Sequence, residues 1–179
     1  NSAPQRVGSL STVTDFDITG IEYGTVCALL EDKTVRCWGY NGYGQVGDGT
    51  AVNRLTPIAP VQGLEGAVEV DLIGTASYAT ACARLADGRV KCWGYNGNGK
   101  VGDGSTTSRY TAVEALGLSN STGLVGSGES STYWWCSMLS TGKVKCWGAT
   151  GAYQIGIGDS GMPTNYVAIP EYPIGLYFD

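Results

Sequence analysis

The sequence predicts an all-β repeat protein, and three observations predict it. A sixteen-residue segment recurs: "VRCWGYNGYGQVGDGT" at Val35–Thr50, "VKCWGYNGNGKVGDGS" at Val90–Ser105, and a degraded copy, "VKCWGATGAYQIGIGD", at Val144–Asp159. Cysteines come in pairs ten residues apart, and successive pairs are 55 and 54 residues apart, a fixed period that marks repeat architecture. Val, Thr, Tyr, Trp and Cys cluster in short runs broken by Gly, Asp, Asn and Pro, the pattern of strands and turns. With 28 glycines in 179 residues, glycine is too dense for helix interiors.

The period divides residues 1–179, read as a single repeat domain, into four pieces. Residues 1–15 are the tail of a partial repeat, because "NSAPQRVGSL" matches the segments that follow the glycine-rich loops, "RLTPIAPVQGL" (Arg54–Leu64) and "SRYTAVEALGL" (Ser108–Leu118). The chain thus reads as starting part-way through a unit. Repeat 1 is 16–69, repeat 2 is 70–123, and repeat 3 is 124–179, ending in the divergent "TNYVAIPEYPIGLYFD".

Within each repeat the cysteines set a hairpin register. Pairing Cys82 with Cys92 puts Leu85 opposite Arg89 across the loop Ala86-Asp87-Gly88. Three-residue hairpin loops end on a left-handed residue, usually Gly, and Gly88 falls there. Pairing Cys136 with Cys146 likewise gives Ser140-Thr141-Gly142, while Cys27 with Cys37 gives Glu31-Asp32-Lys33, with Lys33 where Gly is expected. Directly opposed residues lie within reach of a disulfide. The spacing therefore predicts bridges 27–37, 82–92 and 136–146, against the competing reading of reduced, buried thiols. Zinc is disfavoured, because ten-residue spacing without His or a CxxC pair is a poor ligand pattern. Alternation puts Cys27, Leu29, Val35 and Cys37 on one face and Ala28, Leu30, Arg36 and Trp38 on the other. Both faces carry apolar residues, so each sheet is expected to stack between two others.

"CALLEDKTVRCWGYNGYGQVGDGT" and "CARLADGRVKCWGYNGNGKVGDGS" resemble repeats of the regulator-of-chromosome-condensation family, across nearly the whole chain. That resemblance implies a β-propeller, with each repeat supplying one blade of four antiparallel strands, and commonly seven blades. The paired cysteines resemble its secreted branch. The family's His before the first Cys is replaced by Thr25, Thr80 and Trp134. The loop Asp at Asp48 and Asp103 becomes Ile157, with Gly158-Asp159 as a shifted replacement. Three blades do not close a ring. The chain therefore reads either as part of a longer propeller or as a subunit that assembles head to tail, into a ring or a filament.

Function is bounded mostly by exclusion. The chain has no histidine and a net charge of −5. It lacks the commonest general base and metal ligand, and the acidic balance argues against sequence-independent nucleic-acid binding. No apolar run reaches the roughly 18 residues of a membrane span, and the N-terminus lacks a signal pattern. Gly42-x-Gly44-x-x-Gly47 and Gly97-x-Gly99-x-x-Gly102 match a dinucleotide fingerprint, but no helical period follows, so they read as turns between strands. Asp48 and Asp103 read as turn carboxylates rather than calcium ligands. No enzyme activity, cofactor or metal is expected. Trp38, Trp93 and Trp147 read as interblade packing. Tyr40, Tyr43, Tyr95, Tyr133, Trp134 and Trp135 are candidates for an interaction surface, and Asn120 heads a glycosylation sequon. A disulfide in every repeat points to an oxidising compartment, hence an exported protein, extracellular or at the cell surface. The expected partner is a second copy of the chain or, in the alternative of a secreted, inhibitor-like binding propeller that the resemblance implies, another protein.

Overall fold

The structure, a computed structural model, describes residues 7, 10–20, 23–57, 59–129, 132–149 and 166–173. Its strands are β1 (Val13–Thr19), β2 (Thr25–Leu30), β3 (Val35–Gly39), β4 (Ala67–Ile73), β5 (Thr80–Leu85), β6 (Val90–Gly94), β7 (Arg109–Glu114), β8 (Ser121–Glu129), β9 (Thr132–Leu139), β10 (Val144–Ala149) and β11 (Tyr166–Glu171). They form three antiparallel sheets, β1-β2-β3, β4-β5-β6-β7 and β8-β9-β10-β11. No helix occurs among the described residues. The first strands start at Val13, Ala67 and Ser121, each ahead of the unit boundaries at 16, 70 and 124. The glycine-rich loop of repeat 3, with Ile157 and Gly158-Asp159, lies outside the described residues, as does most of the N-terminal partial repeat.

The hairpin registers follow the cysteines. Cys27 faces Cys37, Cys82 faces Cys92 and Cys136 faces Cys146. Each pair is joined by a disulfide across a Cα separation of 4.1 Å. The three turns close alike: Lys33, Gly88 and Gly142 donate their N–H to Leu30, Leu85 and Leu139. Gly88 and Gly142 have φ of 83° and 77°, and Lys33 takes the same left-handed conformation at 66°. The first turn therefore keeps its shape and carries the steric cost of a side chain there.

Repeat 1 has two isolated bridges, Gly39 to Arg54 and Arg36 to Pro60, in place of a fourth strand. The equivalent of β7 there contains Pro57 and Pro60, and proline cannot donate to a ladder.

The sheets stack as blades, with their first strands adjoining at the hub, β1 against β4 and β4 against β8. Carboxylates fasten this hub. Asp15 and Asp17 accept hydrogen bonds from the N–H groups of Val70 (3.2 Å) and Leu72 (2.7 Å), and Glu69 accepts one from Leu124 (3.3 Å). Each carboxylate satisfies an otherwise unpaired N–H on the inner edge of the next blade. Asp71 occupies the register of Asp17, opposite a cysteine. Burial, then the charges of Asp17, Glu69 and Asp15, push its carboxyl up to about 6.

Two cores lie between blades, not within them. Cys27, Leu29, Val35 and Cys37 of blade 1 pack with Val70, Leu72, Ala81, Ala83 and Trp93 of blade 2. Cys82, Val90 and Cys92 of blade 2 pack with Leu124, Trp135, Leu139 and Trp147 of blade 3. The cysteine face of one blade therefore meets the tryptophan face of the next. At both seams the indole reaches into the preceding glycine-rich loop: Trp93 Nε1 donates to the Gln45 carbonyl and Trp147 Nε1 to the Lys100 carbonyl, both at 2.9 Å. Glycine is required beneath the rings. A Cβ on Gly47 would lie 3.1 Å from the Trp93 indole, and one on Gly102 would lie 2.9 Å from Trp147 Nε1.

Candidate interaction surfaces

The glycine-rich loops are built around one asparagine each. Asn41 Nδ2 donates to Asp48 Oδ1 and to the carbonyls of Thr50 and Val52, and its Oδ1 accepts from the Val46 N–H. Asn96 repeats this with Asp103, Ser105, Thr107 and Val101. Asp48 is also held by Arg54 Nε at 2.6 Å and by Thr50, and Asp103 by Arg109 and Ser105. Burial opposes ionisation of both carboxyls, but these donors outweigh it and hold them below the usual range. The Gly-Asp-Gly carboxylates are thus committed to their own loops.

Thr25 and Thr80, at the position of the family's histidine, are fully buried and peg these loops down. Their hydroxyls donate to the Tyr40 and Tyr95 carbonyls. At the same position Trp134 is partly buried against the seam between blades 2 and 3.

The loops gather aromatic residues on one rim. Tyr43 from blade 1 meets Tyr78 and Tyr95 from blade 2, with ring centroids 5.6 Å and 5.0 Å away, and Tyr78 lies 4.8 Å from Tyr95. Tyr78 and partial desolvation raise the Tyr43 phenol above its ordinary range, so it stays protonated. The Lys100 ammonium lies 4.8 Å from the Tyr95 ring and 5.4 Å from the Tyr133 ring, and donates to the Tyr78 carbonyl at 2.9 Å. Lys100 is only 2% exposed, and burial pulls its ammonium down to about 8. Tyr40 lies over its own loop, its hydroxyl 2.3 Å from where a Cβ on Gly42 would be.

The structure thus brings together Tyr43, Tyr95 and Tyr133, with Tyr40 and Tyr95 each lying over the glycine two residues on in its own loop. Trp135 is removed from any surface: it is fully buried and stacked on Trp147, because alternation turns it toward blade 2. Tyr78 and Lys100 were not among the sequence candidates. A signal for Lys100 was present, since Gln45 holds the same loop position eight residues after the second cysteine. Asn120 lies at the opposite rim, where its Nδ2 donates to Ser140 Oγ at 3.2 Å.

A second surface is the outer face of blade 1. Phe16 and Ile18, in the registers of Val70 and Leu72, are 67% and 57% exposed, against 1% and 7% for those two. With Val26, Ala28 and Trp38 of this face, Phe16 lines an apolar groove of about 560 Å³, which Val7, Leu10 and Val13 also border. At the other end, the cysteine face of blade 3 exposes Val125 and Met138.

Stacked antiparallel blades, one of three strands and two of four, with interlocking loops define a β-propeller-type repeat protein. Two segments, residues 23–45 and 75–100, match the family model for the Regulator of chromosome condensation (RCC1) repeat. The human E3 ubiquitin-protein ligase HERC2 is 34% identical over 117 residues, which is 63% of this chain and 2% of HERC2. The mitochondrial RCC1 domain-containing protein RUG3 of Arabidopsis thaliana is 28% identical over 90% of this chain and 34% of its own length. Among solved structures, Prp20p from Saccharomyces cerevisiae superposes with a TM-score of 0.68 at 17% identity, over 97% of this chain and 42% of that one. Human WBSCR16 gives 0.66 at 17%, over 87% and 37%. These likenesses establish the fold, of which the chain spans less than half of each solved relative.

Proposed function

We propose that this chain is a non-enzymatic protein-interaction module that assembles head to tail through its end blades, into a closed ring or a filament. One observation carries the reading. The exposed faces of blades 1 and 3 carry the positions that meet at the two internal seams. Trp93 and Trp147 are fully buried against a preceding blade, while Trp38, at the equivalent position, is not. Phe16 and Ile18 present the apolar area that Val70 and Leu72 bury. Covering such a face removes apolar surface from water at roughly 25 cal/mol per Å². A heterologous contact of this kind closes or propagates according to its rotation.

A second reading has the same face covered by further blades of a longer polypeptide. Its support is that the chain covers only 37–42% of single-chain RCC1-type propellers. Protein binding as a class is supported by yeast RCC1 (Prp20), which was solved with Kap60 bound. The three disulfides support an oxidising compartment, extracellular or at the cell surface, although the relative RUG3 is mitochondrial.

Electron microscopy of the purified chain tests assembly. Rings or filaments that disappear in Phe16→Glu are expected. Isolated particles of single-chain size in the unmodified protein would refute it.

A further inference from the structure

The rim cluster has a property that packing alone does not account for. Lys100 buries an ammonium with no carboxylate in ion-pair range among the described residues. Its contacts are one carbonyl, of Tyr78, and the faces of Tyr95 and Tyr133. Burying a charge without a counter-charge is costly. A neutral solution exists in the same chain: Gln45, at the equivalent loop position, donates its Nε2 to the Ser77 carbonyl at 2.9 Å and accepts from the Tyr43 N–H through Oε1. Both side chains sit beneath a tryptophan that bonds their carbonyl, so lysine is not needed for the seam. Local rules are broken in this way chiefly at functional sites.

The charge around the cluster points to the missing partner. On this rim Arg54 pairs with Asp48 and Arg109 with Asp103, which leaves Lys100 as the uncompensated charge among the described side chains there. The exposed acidic residues Glu31, Asp32, Glu65, Asp87 and Glu114 lie on the turns and loops of the opposite rim or at the end of β7. The tyrosine hydroxyls add donors beside Lys100, and tyrosine clusters of this kind serve as binding hot spots.

We infer that the rim formed by Tyr43, Tyr78, Tyr95, Tyr133 and Lys100 is a docking site for an acidic segment of a partner protein. One carboxylate of that segment pairs with Lys100. Tyr78 is the most exposed ring of the cluster, at 47%. The surface is separate from the end faces of blades 1 and 3, so assembly and docking succeed or fail independently. Lys100 must be charged to pair, and the titratable side chains facing it are the phenols of Tyr95 and Tyr133, with Tyr78 and Tyr43 beyond.

The test uses the intact chain with three capped peptides at physiological salt: hexaglutamate, hexaglutamine and hexalysine, followed by calorimetry. Hexaglutamate is expected to bind in preference to the other two, about tenfold more weakly at pH 9.5 than at pH 7, and about tenfold more weakly to Lys100→Gln. Circular dichroism and retained disulfides confirm that the variant is folded. Absence of hexaglutamate binding, equal binding by Lys100→Gln, or preference for hexalysine would overturn the assignment.

Discussion

Replacing Lys100 by the glutamine that stands at the same loop position in blade 1 should stabilise the protein. Burial holds the ammonium near pKa 8 against an ordinary 10.5. At 1.36 kcal/mol per pH unit this gap corresponds to about 3 kcal/mol against the charged form at pH 7. That figure reflects burial alone, and the cation–π contacts with Tyr95 and Tyr133 favour the charged form and reduce the cost. Glutamine keeps one hydrogen bond and has no charge to desolvate, as Gln45 demonstrates. Allowing for imperfect packing of the shorter side chain, Lys100→Gln should gain about 2 kcal/mol at pH 7, or roughly 4–8 °C in Tm for a chain of this size.

The sign with pH follows from linkage. The unfolded lysine binds its proton up to pH 10.5 and the folded one only up to about 8. The native protein should therefore gain stability as pH rises from 8 toward 9.5, while the variant gains none from this position. Chemical denaturation at pH 7, 8.5 and 9.5 reads both effects. A destabilised Lys100→Gln, or parallel pH profiles for the two proteins, would refute the reasoning.

Other predictions follow from particular contacts. Lys33→Gly should add about 1 kcal/mol, because Lys33 holds a left-handed φ of 66° that glycine adopts freely; a lower denaturation midpoint would contradict it. Gly102→Ala should cost about 2–3 kcal/mol, since the new Cβ would sit 2.9 Å from Trp147 Nε1 at the seam between blades 2 and 3. Asp71→Asn should stabilise at pH 7 by about 1 kcal/mol, discounted for partial solvation. Its folded pKa of about 6 lies above the ordinary 3.8, so native Asp71 costs stability as pH rises from 4 to 6 and the asparagine variant is spared that loss. Reduction should add six protons to the intact mass and remove roughly 2–3 kcal/mol per bridge. An unchanged mass would remove the physical basis for an oxidising compartment.

The blade was legible in the sequence because its determinants are local. The ten-residue cysteine spacing, the glycine at the third turn position and the alternation of apolar residues all point to one register, and β2–β3, β5–β6 and β9–β10 adopt it. Lys33 broke the turn pattern without breaking the turn, since two strands and a disulfide outweigh about 1 kcal/mol of strain. Repeat 1 lacks a regular fourth strand for a reason the sequence also held, Pro57 and Pro60.

The candidate surface was less legible because it joins residues from separate loops. Tyr43 and Tyr95 stood out as loop tyrosines, but their meeting with Tyr78 depends on how blade 2 stacks on blade 1. Trp135 looked as available as Trp134, and only the direction of the pleat sends it into the core. The hub carboxylates recur at the repeat period, Asp15 with Glu69 and Asp17 with Asp71, but their role was not legible because the partners of Asp15, Asp17 and Glu69 are backbone N–H groups 55 residues away.

Sedimentation equilibrium of the chain over a thousandfold dilution tests the central claim most directly. Head-to-tail assembly predicts concentration-dependent species at multiples of 18.7 kDa, reduced to the single chain by Phe16→Glu at the exposed blade face. An 18.7 kDa monomer at every concentration would contradict it.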